Sequence, residues 1–488
     1  MRSSPPYAAL TGDRYGQRAM RVAAAILGAT VLAALAALPA GGSSTYQTPA
    51  TSRLTTAVYL SSPIAPADEN MFFNRVRNAG ARAVRMTLAW NTIAPKKRPP
   101  GFDPTNPADP AYNWTYVDRL ITGARAHGLE PLMTISSAPT WAGGTHASPG
   151  KLGQFARAAA RRYSGSFQGL PRVRYWLVWN EPNLSRYLAP QYQQRRMVGA
   201  SRYRKMVNAV AASVHGVHQD NVVVAGETAP LDTPSSPGAM KFARGVLCVS
   251  QRLRSTCKTV VHVDIWSTHP YTSGGPTHKS FGSDGVALGN LTQLQRLVRA
   301  AVRLHHVSSS RHVRVWATEF SWNTKPPCRL GLPMPLAKRW VSEALYRIWS
   351  WHIGTLTWFQ LVDYGRGNPI VSGLYYRGKT FSRARPKPIL NAFRFPFVAF
   401  EHGSRVYVWG RTPDGLRHTI SLQRSAGHGW AGISTLVSNS SGIFFRTLTL
   451  SRANTSWSLR AQVRGTGSHS VGFSLRSVSD RFYRPFGC

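Results

Sequence analysis

Carboxylates are the scarce residues of this chain. Its 488 residues carry 19 Asp and Glu against 60 Lys and Arg, a formal net charge of +41, although charged residues make up only 16% of the total. Such a balance draws a surface toward polyanions, whether nucleic acid, anionic lipid headgroups or acidic glycans; arginine-rich coding bias in a GC-rich genome gives the same figure with no binding role. No recognition motif for nucleic acid accompanies the charge, and none is expected as a partner. Cysteine is rare as well. Cys248, Cys257, Cys328 and Cys488 form no CxxC spacing and accompany no paired histidines, which excludes a zinc site of that kind. Past residue 42 no run is long and apolar enough to span a bilayer. Ser61 to Pro66, after the first strand candidate, lacks the glycines of a phosphate-binding turn, and no solenoid-type repeat is present.

What is abundant points to a packed core. Hydrophobic residues make up 43% and aromatics 11%, with 15 Trp, so disordered, collagen-like and coiled-coil chains are poor fits. At the N-terminus Arg14, Arg18 and Arg21 precede the apolar run Val22 to Leu38 and the small residues Pro39 to Gly42. Residues 1–42 therefore read as a secretory signal peptide or an uncleaved membrane anchor, followed by a polar linker over 43–56. Either places the remainder outside the cytoplasm, secreted or at the cell surface. In that oxidising setting the four cysteines permit three pairings; Cys248 with Cys257 closes a short loop and is preferred, which leaves Cys328 with Cys488.

From residue 57 short β-rich runs alternate with longer helical stretches, the mark of an α/β fold. Strands are predicted at 57–61, 83–88, 131–135, 174–178, 222–225, 261–267, 313–317 and 355–361. Helices are predicted at 68–78, 114–127, 151–163, 191–215, 237–247, 291–304 and 336–351, most with apolar residues three and four apart. Eight such units over 57–396 suit a (β/α)8 barrel with enlarged loops. After Pro396 helical periodicity stops, and alternating runs separated by Gly, Ser, Asn and Asp turns predict a small β-sandwich over 397–488. That region holds eleven Arg and no Lys against Glu401, Asp414 and Asp480. It reads as a module that buttresses the barrel, or as one that binds glycans through Trp409, Trp430 or Trp457.

Two of the seven Glu follow predicted strands directly: Glu181, after the fourth, and Glu319, after the seventh. In a barrel the C-terminal strand ends ring the mouth where chemistry is done. Two carboxyls facing one another there are what glycoside hydrolysis needs, one to protonate the leaving oxygen and one to attack the anomeric carbon or activate water. Glu227, after the fifth strand, reads as a subsite or structural carboxylate, and Trp90 as core.

The segment Trp179-Asn180-Glu181-Pro182-Asn183 resembles the WNEPN signature of clan A glycoside hydrolases, and Arg85, His269-Pro270-Tyr271, Thr318-Glu319-Phe320 and Trp358 follow in the order that clan uses. The layout is most similar to family 39, with family 5 second. The resemblance covers roughly residues 55–395. It implies a retaining enzyme with Glu181 as acid/base and Glu319 as nucleophile, the latter kept ionised by Arg85 and Tyr271. It further implies Asn180 on the sugar 2-hydroxyl, His269 as a substrate-binding residue or one that holds a neighbour through its ring N–H, Trp358 as the stacking floor, and Trp141, Trp322 and Asn91 as rim contacts. No metal or organic cofactor is implied. The expected partner is a carbohydrate, acidic glycans included; a non-catalytic glycan- or polyanion-binding protein on the same barrel is the alternative.

Overall fold

The computed structural model describes residues 53–365, 367–425, 427, 429–449, 456–480 and 488. The expected export segment and most of the linker lie outside them. Among the described residues no helix is long and apolar enough to cross a membrane.

Eight parallel strands close into a barrel: β1 (Thr55–Tyr59), β2 (Ala83–Ala89), β3 (Glu130–Ser136), β4 (Tyr175–Val178), β5 (Val222–Thr228), β6 (Ile265–Thr268), β7 (Arg314–Phe320) and β8 (Thr355–Trp358). Each hydrogen-bonds to its sequence neighbours, and β8 closes on β1 through Thr55↔Thr355 and Val58↔Trp358. Between them run α1 (Pro66–Asn78), α2 (Thr115–Ala126), α3 (Pro149–Arg162), α4 (Val198–His215), α5 (Ala239–Leu247), α6 (Leu291–Arg303) and α7 (Met334–Ser350), with α8 (Ile389–Arg394) after β8.

Two departures from the predicted elements have local causes. The run at 261–267 divides: Val261–His262 pairs with Val307–Ser308 outside the barrel, while Ile265–Thr268 forms β6. The start of the predicted fourth helix is instead a hairpin, Tyr192–Gln193 against Arg196–Met197, and α4 begins only at Val198.

Strand alternation sorts the barrel side chains. Ala83, Leu132, Leu177, Val222, Val224, Ile265 and Trp316 fill the interior, whereas Val84, Met86, Met133, Ile135, Trp176, Val223 and Val315 join the large apolar layer under the helices. Where α3 crosses α4, Gly153 permits close approach, since an added Cβ would lie 3.1 Å from the carbonyl oxygen of Ala209.

From Phe397 the chain forms two antiparallel sheets, consistent with a sandwich. One contains β9 (Phe397–His402), β10 (Arg405–Arg411) and β13 (Ile443–Thr449); the other contains β11 (Thr419–Ser425), β12 (Ala431–Val437), β14 (Ser458–Val463) and β15 (Phe473–Ser474). Of the three candidate glycan platforms, Trp409 is fully buried, its ring 5.6 Å from Tyr346 and 5.4 Å from Trp349 of α7. Trp430 and Trp457 are half-buried under Arg460 and Arg424. The sandwich thus puts its aromatic payload into the barrel seam. Arg411, wholly buried, crosses that seam to Thr56 Oγ1 at 3.0 Å and the carbonyl of Gly80 at 3.3 Å. Both expected disulfides are present, Cys248–Cys257 and Cys328–Cys488. The second closes a 160-residue separation and ties the C-terminus to the loop after β7.

Candidate active site

The buried cation of the barrel mouth comes from the middle of β2. Arg85 is the third residue of that strand and points inward, so its long stem carries the guanidinium up toward the C-terminal strand ends. There it donates from Nη1 to Glu319 Oε2 at 2.7 Å, from Nη2 to Glu227 Oε2 at 2.7 Å and to Asn180 Oδ1 at 3.1 Å, and from Nε to Thr134 Oγ1 at 3.0 Å. Tyr59 lays its ring 4.5 Å from the guanidinium carbon. No part of Arg85 reaches solvent.

Strict alternation would turn several of these carboxylates the wrong way; irregular backbone turns them in. In β5 the register shifts between Ala225 and Thr228, Gly226 takes φ +106° and Glu227 φ +48°. Only glycine fits at 226, because a Cβ would lie 2.1 Å from the carbonyl oxygen of Ser267. A second shift between Ala317 and Phe320 of β7 turns Glu319 inward while Phe320 packs outward. After β4, Trp179 and Glu181 both hold positive φ, 70° and 43°. Such conformations cost about 1–3 kcal/mol each in L-residues, and bulges of this kind concentrate beside active sites.

The result is a compact charged cluster. Tyr271 donates its hydroxyl to Glu319 Oε1 at 2.8 Å. His269 Nδ1 lies 3.2 Å from Glu181 Oε1 and 3.7 Å from Glu319 Oε2, and its Nε2 is 3.6 Å from Glu227 Oε2. Arg186, 40% exposed, reaches Glu181 Oε2 at 3.3 Å. One oxygen of Glu181, one of Glu319 and a ring nitrogen of His269 all lie within 4.8 Å of one another. The two carboxylates keep a narrow opening to solvent, 3% for the Glu181 side chain and 7% for that of Glu319. At the ends of β1 and β8 a cavity of about 270 Å³ is lined by Tyr59, Ser61, Gln360, Tyr364 and Arg377 among others.

Protonation follows from the charges. Burial works to raise the pKa of Glu227, but Arg85, His269 and Ser267 outweigh it and hold the carboxyl down at about 2. Burial works to keep His269 neutral, but Glu319 together with Glu181 and Glu227 lifts it to about 9. Glu181, His269 and Glu319 could by number ligate a metal, yet a cationic imidazole offers no lone pair at Nδ1, and Arg85 and Arg186 already sit against the carboxylates. The set suits a proton better than a metal ion.

A raised histidine pKa gives a signed expectation. The folded chain holds this proton more tightly than the unfolded one, so the stabilisation is full below pH 6.5 and is lost as pH rises through about 9. Urea unfolding followed from neutral pH to above 9 should show a falling midpoint, and His269→Asn should flatten that fall. An equal slope in the variant would assign the effect to other groups.

The structure brings Glu181, Glu319, Arg85, Asn180, His269 and Tyr271 together and leaves others apart. Trp358 does not form a floor. As the last residue of β8 it faces outward, 6.3 Å from Phe320 and 5.8 Å from Phe393, with its indole N–H donated to Ser372 at 2.9 Å. The next residue, Phe359, turns in instead and clusters with Tyr271 and Tyr59. Trp322 is likewise buried in the helix layer, donating to the Gly274 carbonyl at 3.1 Å, and is no rim contact. Trp141 is half-buried, edge-on to Trp90 and bonded to the Pro95 carbonyl. Asn91 is exposed just past β2. Glu227 emerges as the group that fixes Arg85 and His269, and the glycine before it in an apolar strand was its signal.

No protein-family model matches the sequence, and no curated protein is significantly similar to it. Among solved structures, a family 39 glycoside hydrolase from Bacteroides cellulosilyticus WH2 superposes with TM-score 0.52 at 16% identity, over 81% of this chain and 81% of that one. A glucosidase from Croceicoccus marinus gives TM-score 0.48 at 14% identity, over 84% and 95%. A family 39 β-xylosidase from Caulobacter crescentus gives TM-score 0.47 at 16% identity, over 78% and 84%. In fold, the chain is of one kind with the family 39 glycoside hydrolases.

Proposed function

We propose that the chain is a glycoside hydrolase that retains anomeric configuration, with Glu319 as nucleophile and Glu181 as acid/base. The observation that carries this is the approach of the two carboxylates, an oxygen of each within 4.8 Å, at the ends of β4 and β7. Retaining enzymes hold their carboxyls about 5–5.5 Å apart, whereas inverting ones leave room for a water between them.

In the first step Glu319, held and aimed by Arg85 and Tyr271, attacks the anomeric carbon while Glu181 protonates the departing oxygen. His269 Nδ1 stands 3.2 Å from Glu181 Oε1, within reach to replace the proton that Glu181 passes to the leaving oxygen. The glycosyl ester removes the charge of Glu319. Glu181 then takes a proton from water, which opens the ester and restores the resting state. Asn180, oriented by Arg85, faces the sugar 2-hydroxyl, where a hydrogen bond tightens as the oxocarbenium ion develops. Phe359 and Tyr59 supply the apolar wall against the sugar ring. The substrate is an oligo- or polysaccharide, neutral sugars included. Arg186, against Glu181 at the mouth, extends the range to acidic ones. The enzyme acts outside the cytoplasm, as residues 1–42 imply.

A panel of polysaccharides with product sizing tests the activity. For Glu181→Gln, slow hydrolysis is expected, least severe with aryl glycosides whose leaving groups need little protonation, by a factor of about 10²–10⁴ between good and poor ones. Uniform loss across leaving groups would remove Glu181 from acid duty, and inactivity of the native chain on every glycan it binds would leave the non-catalytic reading.

A further inference from the structure

The opposite end of the barrel holds a cavity of about 850 Å³, lined by the first residue of each of the eight strands. Ligand sites commonly fall between about 300 and 1,000 Å³. Its floor is the base of the barrel interior, where Ile265 and Trp316 remain 7% and 8% exposed. Its lining includes six arginines, Arg53, Arg82, Arg174, Arg299, Arg311 and Arg314. Only Glu130 and Asp264 oppose them there, and both are engaged: Glu130 with Arg125 at 2.7 Å, Asp264 with His215, Ser309 and the amide of Val223.

The six arginines divide by partner. Arg82 donates to the carbonyl of Asp414, and Arg174 and Arg311 donate to that of Asp220, at 3.2 and 2.9 Å, so these three are held in place. Arg53, Arg299 and Arg314 are exposed and have no hydrogen bond or ion pair from their side chains among the described residues. Like charges gathered round an apolar floor repel one another, and a bound anion relieves that repulsion. Guanidinium forks match the oxygens of a phosphate better than ammonium groups do, and no Lys lines this cavity.

We propose that the N-terminal end of the barrel is a second binding site, which takes a phosphate-bearing anion among these arginines. It lies about 15–20 Å of strand away from the carboxylate cluster, so it serves attachment or anchoring and not hydrolysis. The chain enters β1 at this same end, with Arg53 on the cavity wall, and the apolar run Val22–Leu38 lies upstream of it. Two sources can supply the group, a phospholipid headgroup or a soluble phosphate ester.

The test titrates the full chain with inorganic tripolyphosphate by calorimetry. Arg53→Ala/Arg299→Ala/Arg314→Ala is expected to weaken binding about tenfold or more, with the thermal midpoint and hydrolysis unchanged. The charge-matched control Arg252→Ala/Arg417→Ala/Arg476→Ala, at exposed sites elsewhere, should change it less than about twofold. Equal losses in the two triples, or no binding by the native chain, would overturn the proposal. Flotation with phosphatidylglycerol vesicles against phosphatidylcholine vesicles distinguishes the sources. Extra binding to the anionic vesicles that the first triple abolishes identifies the headgroup, and its absence with tripolyphosphate binding intact identifies a soluble ester.

Discussion

Glu319→Ala is expected to lower turnover by about four orders of magnitude or more, roughly 5.5 kcal/mol of lost transition-state stabilisation. The side chain removed is the one that Arg85 and Tyr271 hold by 2.7 and 2.8 Å hydrogen bonds. Truncation to alanine also leaves a space where a carboxylate was, next to a guanidinium that keeps Glu227 as its ionic partner. A small anion such as azide should enter that space and attack the sugar in place of the carboxylate. Rescue should therefore be partial and give a glycosyl azide of inverted configuration, seen by proton NMR of the product. Unchanged turnover in the variant would take the nucleophile's role from Glu319, and rescue with retained configuration would contradict the displacement geometry.

Arg85→Met is expected to be the most damaging change to stability in the barrel, about 3–5 kcal/mol, because two buried carboxylates lose their cation at once. Glu227 suffers most: it is wholly buried, and of its neighbours only Arg85 carries a permanent charge. Adding Glu227→Gln to Arg85→Met should therefore recover part of the loss, since a neutral amide can keep the hydroxyl contacts of Ser267 and Thr318. A double-mutant cycle by urea unfolding reads this directly. Strict additivity of the two substitutions would mean that the pair is not coupled, and the cluster would need another explanation.

The two glutamates were legible because acids are so few and because both follow apolar, β-rich runs, which in a barrel puts them at one end. Arg85 was legible only with the resemblance beside it; alone, an arginine in Ala83-Val84-Arg85-Met86 reads as one polar residue in a strand. The misplacement of the aromatic floor has a simple origin. Trp358 and Phe359 are adjacent, and in a strand adjacent side chains face opposite ways, so a one-residue question of register decides which of them meets the substrate. The resemblance put the floor on Trp358, while the alternation that sends Leu356 and Trp358 outward left the inward place to Phe359. Glu227 was undervalued for the opposite reason. Its role depends on a bulge, and bulges are written in sequence only as a glycine inside an otherwise continuous apolar run, here Gly226 after Val222 to Ala225. The arginine ring at the other barrel end was hidden altogether, because its members come from different strands, loops and helices and become neighbours only when the barrel closes.

The seam crossed by Arg411 bears on how this protein can be handled and how it arose. Gly80 meets the sandwich so closely that a methyl group there would fall 2.7 Å from the carbonyl oxygen of Pro413, and Thr56 belongs to the first barrel strand itself. A gene shortened after α8 would strip the cap from that strand and bare the aromatic face of Tyr346 and Trp349, so such a product should be recovered as aggregate. Grafting this barrel onto a foreign accessory module would meet the same obstacle unless the newcomer brought its own cation to the Thr56 and Gly80 sites.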